Sequence, residues 1–308
     1  MRTVYGVSAL TGEWPSSTVC IGVFDGVHLG HQQVLRTAIA DARAHGRPAI
    51  VVTFDQHPLA VLRPERKPQL ISAPDAVLTQ FAKLGLDVAV VLPFTAETAK
   101  TTAQEFFDKT LKGKLKAETI VIGEDFAFGH NREGDKDWIR QRCKTIVVPP
   151  VEMDGERVSS TRIRNLVREG DVAFARRLLD APYTLTGVVV PGRQLGKTLG
   201  IPTANLAPLH DQVLPRIGIY AGQAHTNGAT FDAAISIGER PTVEDAGFAI
   251  EAHLLDWEEF SLYGNALSLS FWSRIRDEAR FDSLEELAAQ MKRDVDSVRS
   301  ALEVASAG

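Results

Sequence analysis

Residues 20–35, CIGVFDGVHLGHQQVL, decide the fold. The first five, 20–24, form an apolar run of strand length, while 25–31 hold a corner rich in glycine, with Gly22 just before it and Gly26 and Gly30 inside it. From Gln32 onward Val34, Leu35, Ala38, Ile39 and Ala42 recur at helical spacing. The stretch therefore predicts a strand, a tight corner and a helix. At such a corner the first N–H groups of the helix lack intrahelical partners and the helix dipole favours anions, so the spacing predicts a phosphate site. His28 and His31 stand inside it, three residues apart and within reach of one anion. The stretch matches neither the dinucleotide fingerprint GxGxxG nor the phosphate loop GxxxxGK[ST], which carries lysine where this chain has histidine.

At 308 residues the chain is long enough for two domains at about 100–200 residues each. Hydrophobic residues at 44% and charged residues at 24% are ordinary for a protein with a proper core. A net charge of −5 excludes an extended nucleic-acid footprint, so cations that bind phosphate must be local. Two cysteines, Cys20 and Cys143, are too few for a disulfide framework and predict free thiols in a reducing compartment. No run approaches about 20 apolar residues, and the N-terminus lacks a long apolar core. The expectation is a cytoplasmic protein with neither nucleic acid nor membrane as partner, and the sequence is compatible with a homo-oligomer.

Outward from the corner, strand and helix alternate. Residues 49–54, AIVVTF, and 87–93, DVAVVLP, read as buried parallel strands, 75–84 as a helix, and 119–122 as a further strand. Thr102 with Glu105 makes a capping box ahead of Phe106, Phe107 and Leu111. This alternation predicts a doubly wound, mostly parallel α/β sheet. After the strand at 119–122 comes GEDFAFG, 123–129, in which Phe126 and Phe128 either stack a flat ring or pack one face of a hairpin. In VSSTRIR, 158–164, Ser159 and Ser160 suit a helix N-cap, and Arg162 and Arg164 then oppose the dipole of the new helix, which suggests an anionic ligand or a solvated surface.

The texture changes at Tyr183. Runs at 183–190, 219–225, 231–237, 249–256 and 266–271 are short β segments at close spacing and predict a small closed antiparallel barrel. A helix over 283–302 follows, capped by Ser283 and Glu286, whose stripe of Leu284, Leu287, Ala288, Met291, Val295, Val298 and Leu302 is expected to dock it on the barrel. The boundary falls near Pro182, giving domains 1–182 and 183–308. The second carries GRQLGKTLG at 192–200, followed at once by IPTAN at 201–205. Glycines let backbone N–H groups close on a polyphosphate, and the Thr203 hydroxyl and Asn205 amide are hard oxygen ligands suited to Mg²⁺; a solvated loop and turn is the alternative.

Several of these segments resemble one family. HLGH at 28–31 resembles the HxGH signature of nucleotidyltransferases, whose histidines contact ATP phosphates, and the longer GVFDGVHLGHQ is similar to the FAD synthetase branch. SSTRIR resembles the partner motif SSTxxR, and GEDFAFG resembles GxDFxFG, with Ala127 where that family often has a basic residue. GKTLGIPTANL at 196–206 resembles the riboflavin kinase signature, and the likeness continues through GIYAG, SIGERPT, EAHLLD, LYG and IR. Together they resemble the bifunctional riboflavin kinase/FMN adenylyltransferases of the prokaryotic type, across nearly the whole chain and in one order.

That resemblance implies an enzyme that phosphorylates riboflavin to FMN and adenylylates FMN to FAD, with ATP as co-substrate, Mg²⁺ as cofactor, and FMN and FAD as products. It assigns catalysis to His28, His31 and Glu251, the last as the base that takes the riboflavin hydroxyl proton. ATP and its phosphates are implied to lie against Gly22, Phe24, Asp25, Gly30, Ser160, Thr161 and Arg164 in one half. In the other half they would meet Gly196, Lys197, Gly200 and Pro202. Thr203 and Asn205 are the implied metal ligands; Asp125, Phe126, Phe128, Arg276 and Phe281 the implied flavin contacts. Two other readings stay open on the sequence alone: a riboflavin kinase whose first domain is inert, and a flavin or nucleotide sensor without catalysis.

Overall fold

The apolar runs become strands where their β-branched content predicts. The structure, a computed structural model, describes residues 1–10, 14–192, 201–239, 248–257 and 262–307. Chain contacts gather the residues into two units, Met1–Pro68 with Pro74–Ser159, and Gln69–Ala73 with Ser160–Gly308.

In chain order the first unit runs β1 (Arg2–Tyr5), β2 (Ser17–Ile21), α1 (Leu29–Ala44), β3 (Ala49–Phe54), α2 (Leu59–Leu62), α3 (Pro74–Leu84) and β4 (Val88–Leu92). It continues with α4 (Ala103–Glu105), which runs on into π-helical turns over Phe106–Lys114, then β5 (Ala117–Gly123), a small hairpin of β6 (Ala127–Phe128) and β7 (Gly134–Asp135), α5 (Lys136–Arg140) and β8 (Lys144–Val148). A second hairpin, β9 (Glu152–Met153) with β10 (Glu156–Arg157), closes the unit. Thr102 caps α4 as its capping box predicts, its side chain accepting from Glu105 N at 3.1 Å.

The sheet has the order β1-β4-β3-β2-β5-β8, and every pairing in it is parallel. Side chains alternate across a strand, so a sheet covered on both faces reads as continuous apolar sequence. Val19, Ile21, Ile50 and Val52 pack on one face with Phe107, Leu111 and Ile139, whereas Cys20, Val51 and Val121 pack on the other with Leu35, Ala38 and Phe81. From β2 the chain moves outward through β3 to β4, then returns to place β5 on the other side of β2. Strand order therefore reverses between β2 and β5, and open α/β sheets bind ligands outside the carboxyl ends at such a point.

The second unit holds α6 (Ser160–Glu169), α7 (Val172–Leu179) and the strands β11 (Tyr183–Val190), β12 (Ala204–Pro208), β13 (Gly218–Thr226), β14 (Ala229–Glu239), β15 (Phe248–Leu254) and β16 (Ala266–Arg276). These close into an antiparallel barrel in the order β11-β12-β15-β14-β13-β16. Residues 69–73 join it through Leu70, whose N–H donates to Asp211 O at 2.8 Å and whose carbonyl accepts from Val213 at 2.9 Å. Helix α7 packs on β16, where the Arg176 guanidinium lies 4.6 Å from the Trp272 ring.

The last helix, α8 (Leu284–Ala307), starts at Ser283, whose hydroxyl accepts from Glu286 N at 3.1 Å. Its apolar stripe does two jobs rather than the one expected. Val298 and Leu302 dock against Ala221 and Leu255 of the barrel, while Leu284, Leu287, Met291 and Val295 line a cavity. The same periodicity serves both because a stripe needs only an apolar surface or ligand opposite it.

Candidate active sites

The first candidate site is the corner after β2. To turn from strand to helix, the backbone takes positive φ at Phe24 (53°), Gly26 (85°) and Val27 (42°). A β-branched residue in that region is an outlier that only its surroundings can hold. Here Val27 is buried, its N–H donates to Phe24 O at 3.1 Å, and its carbonyl accepts from Gln32 Nε2 at 3.1 Å. The Phe24 ring is core, edge-on to Phe81 and to His31, so what Phe24 offers a phosphate is its backbone. It lies so close under Gly22 that a Cβ there would stand 3.0 Å from it.

His28 is the N-cap of α1, its Nδ1 accepting from His31 N at 3.3 Å. An accepting Nδ1 leaves the ring proton on Nε2, so this hydrogen bond assigns His28 a donor at Nε2. The two imidazoles stack with centroids 3.6 Å apart, and a Cβ at Gly30 would stand 3.1 Å from the His28 ring. Thus Gly30 is what lets the stack lie over the first turn of the helix. Asp25 is buried in the same corner.

Across the switch point, after β5, the GEDFAFG segment folds as the hairpin alternative predicts: Ala127 pairs Asp135 and Phe128 pairs Gly134. Phe126 and Phe128 are stacked at 5.7 Å and half-buried against the sheet's core. Packing against the core leaves part of each ring exposed. Three cations engage the acidic residues just before them: Arg157 pairs with Asp125, Lys136 with Glu124, and Arg132 donates to Asp125 O at 3.3 Å. Ser160, Thr161 and Arg164 belong to the second unit, at the start of α6. Arg164 is buried and donates from Nε to Gln69 O at 2.6 Å.

The second candidate site is a cavity of about 840 Å³ in the barrel unit, walled by β12, β14, β15 and β16, by the segment after β16, and by α8. Strand β15 explains its chemistry by alternation. Ile250, Ala252 and Leu254 point into the barrel core, whereas Ala249, Glu251 and His253 line the cavity. Glu251 is thus half-buried in a pocket instead of being solvent decoration, and it sits in register with Asn205 of β12. The Thr203 hydroxyl donates to Glu251 Oε2 at 3.0 Å. Only the last two residues of IPTAN, Ala204 and Asn205, belong to strand β12, which is paired on both sides, so the turn alternative does not hold for them. Gly192 lies against the Asn205 side chain, with no room for a Cβ.

The cavity is lined as well by Phe281, Leu287 and Met291, and by Arg276. Arg276 is engaged by a residue the sequence reading missed: Asp294 of α8 accepts from its Nε at 2.8 Å and its Nη2 at 2.6 Å. The signal was present, because Asp294 falls on the helix's apolar stripe, where a buried carboxylate needs a cation. Gly196, Lys197 and Gly200 lie outside the described residues.

Donor chemistry tests the fit to a metal. Among the described residues no three His, Cys, Asp or Glu side chains gather into a cage. The Thr203 hydroxyl, the Asn205 amide and the Glu251 carboxylate are all hard oxygen donors, and Thr203 directs its proton to Glu251, which leaves its lone pairs facing elsewhere. Such a set fits Mg²⁺, which takes few protein ligands and completes its shell with water and phosphate oxygens.

Two family models match the chain, FAD synthetase over residues 11–162 and riboflavin kinase over residues 179–302. A protein of Listeria monocytogenes, named bifunctional riboflavin kinase/FMN adenylyltransferase, is 34% identical over 97% of this chain and 98% of its own. Proteins of the same name from Pseudomonas fluorescens and Escherichia coli K12 are 36% and 34% identical, each pairing covering 96–97% of both chains. A crystal structure from Streptococcus pneumoniae, described as a macrolide-efflux protein, superposes with a TM-score of 0.89 at 32% identity, covering 97% of this chain and 99% of that one. Among the described residues of this chain, no helix is long and apolar enough to cross a membrane.

Proposed function

The chain belongs to the family of bifunctional riboflavin kinase/FMN adenylyltransferases, and from that membership we propose that it makes FMN in the barrel unit and converts FMN to FAD through the glycine-corner machinery. The working division is 1–182 for adenylylation and 183–308 for phosphorylation. The observation that carries the kinase half is the Thr203–Glu251 hydrogen bond in the lining of a cavity that Phe281, Leu287 and Met291 also line.

In that half the flat ring of riboflavin lies against Phe281 and Arg276, and its 5′-hydroxyl reaches Glu251. The hydroxyl oxygen attacks the γ-phosphorus of ATP, its proton passes to Glu251, and ADP leaves. Thr203 and Asn205 hold Mg²⁺, which when bound neutralises charge on the transferring phosphates. Gly196, Lys197, Gly200 and Pro202 flank the nucleotide.

In the other half an FMN phosphate oxygen attacks the α-phosphorus of a second ATP in line, and pyrophosphate leaves without a covalent enzyme intermediate. His28 Nε2–H, His31 and the N–H groups around Gly22, Phe24, Asp25 and Gly30 stabilise the charge that develops, with Ser160, Thr161 and Arg164 as further phosphate ligands. Asp125, Phe126 and Phe128 hold the flavin. With two free cysteines, Cys20 and Cys143, the proposed compartment is the reducing cytoplasm.

Incubation with riboflavin and Mg-ATP, with the flavins separated over time, tests the proposal. FMN followed by FAD is expected. FMN alone would select a kinase with an inert first half, and binding without turnover a sensor; neither is favoured, since both family models match and both motif sets are present.

A further inference from the structure

The β12–β15 ladder pairs Asn205 with Glu251 and Ala204 with Ala252, and there it stops. Continued by one and two residues, it would set Thr203 against His253 and Pro202 against Leu254. Pro202 has no N–H to give a ladder bond, so the backbone of the IPTAN segment loses its partner where the implied metal ligand begins. A side chain replaces it. His253 Nδ1 lies 2.8 Å from Pro202 O, and because a carbonyl only accepts, Nδ1 carries the proton and donates.

Thr203 is thereby gripped from two sides by one strand. Its hydroxyl is held by Glu251, and the peptide before it by His253, two residues further along the same cavity-facing row of β15. We propose that His253 is a positioning residue for the riboflavin kinase step, fixing Pro202 so that the Thr203 oxygen stands ready for the divalent cation that accompanies ATP. The inference rests on the kinase reading of this cavity. Its expected signature is a greater demand for the cation, with the turnover rate at saturating cation little changed, because His253 touches neither the hydroxyl nor the phosphoryl group.

His253→Ala and the bulkier His253→Leu remove the donor, whereas His253→Asn keeps one, its Nδ2–H standing as many bonds from the backbone as Nδ1–H. Two readouts apply: the Mg²⁺ concentration giving half-maximal FMN formation, and the gain in ADP affinity that Mg²⁺ confers, measured by calorimetry without turnover. With one neutral hydrogen bond lost, Ala and Leu should need about tenfold more Mg²⁺ and lose a similar factor of the calorimetric gain, while Asn stays within about twofold of wild type. An unchanged rate of FMN formation at saturating Mg²⁺ reports that the barrel of these variants is folded. Wild-type Mg²⁺ demand in Ala and Leu, or an Asn variant as impaired as they are, overturns the inference. A wild-type protein that makes no FMN overturns the kinase reading and this inference with it.

Discussion

Asp294 of the C-terminal helix grips Arg276 of β16 through two hydrogen bonds, 2.8 and 2.6 Å, across the wall of the cavity. Gln290 Nε2 adds a third bond to the same carboxylate at 2.8 Å, and Asp294 is only 5% exposed. This pair ties the helix that supplies Leu287 and Met291 to the strand that supplies Arg276, so on the proposed reading it sets the space for the flavin ring. Asp294→Ala strands a guanidinium that is still partly wet, which argues for a loss of about 1–3 kcal/mol instead of the larger cost of breaking a fully buried pair. The expected outcome is a KM for riboflavin raised about tenfold with FAD formation from added FMN intact, read from steady-state kinetics and thermal unfolding. An unchanged KM would remove Asp294 from the flavin end of the site.

Glu251→Gln separates base from scaffold. The amide oxygen still accepts from Thr203, so local geometry survives, but the side chain no longer takes a proton. Loss of a general base costs about 10²–10⁴ in rate, so kcat for FMN formation should fall by that factor with KM for riboflavin little changed. FAD formation from FMN is the internal control. A kcat within a few fold of wild type would show that the hydroxyl proton leaves by another route.

His28 caps a helix and, in the proposed mechanism, donates to the phosphates, and two substitutions pull those roles apart. His28→Ala loses the bond from His31 N and about 1 kcal/mol with it; His28→Asn restores a good N-cap. Both should lose FAD formation by about 10²-fold or more while FMN formation continues, since neither supplies the donor at Nε2. Equal loss of both activities would refute the division of labour between the units, and FAD formation restored by Asn would reduce His28 to a cap.

The parts of the fold that could be read from the sequence are those with both faces buried. Strands β3, β4 and β5 lie inside the sheet and read as unbroken runs such as AIVVTF, whereas β1 and β8 are its two edges and were not anticipated. An edge strand packs less apolar surface, and RTVY and KTIVV carry charged residues where an inner strand would carry valine. Strand β12, ANLAP, begins inside the IPTAN ligand segment and ends in Pro, and only its pairing with β11 and β15 makes it a strand. The site followed a similar rule. The histidines and Glu251 stand in motifs, whereas the contacts of Asp294 and His253 with Arg276 and Pro202, 18 and 51 residues away, belong to no motif.

A last prediction concerns the opposite end of the sheet, where α1 finishes. Asp41 is buried there and accepts from Arg47 Nη2 at 2.7 Å, Thr18 Oγ1 at 2.7 Å and Lys144 Nζ at 3.1 Å, with His45 Nδ1 3.5 Å away. Burial by itself would raise its pKa, but the hydrogen bonds from Arg47, Thr18 and Lys144 prevail and hold the carboxyl well below the usual range. A carboxylate whose folded pKa is depressed binds its proton more readily in the unfolded chain. Its stabilisation is therefore complete above the unfolded value, about 4, and drains away as pH falls towards the folded one. Asp41→Asn should be less stable than wild type by about 1–3 kcal/mol at pH 7, and the gap should close progressively below about pH 4 in urea unfolding followed across pH. A gap that stays constant from neutral pH into acid would mean that Asp41 contributes by shape and hydrogen bonding alone, with its charge immaterial.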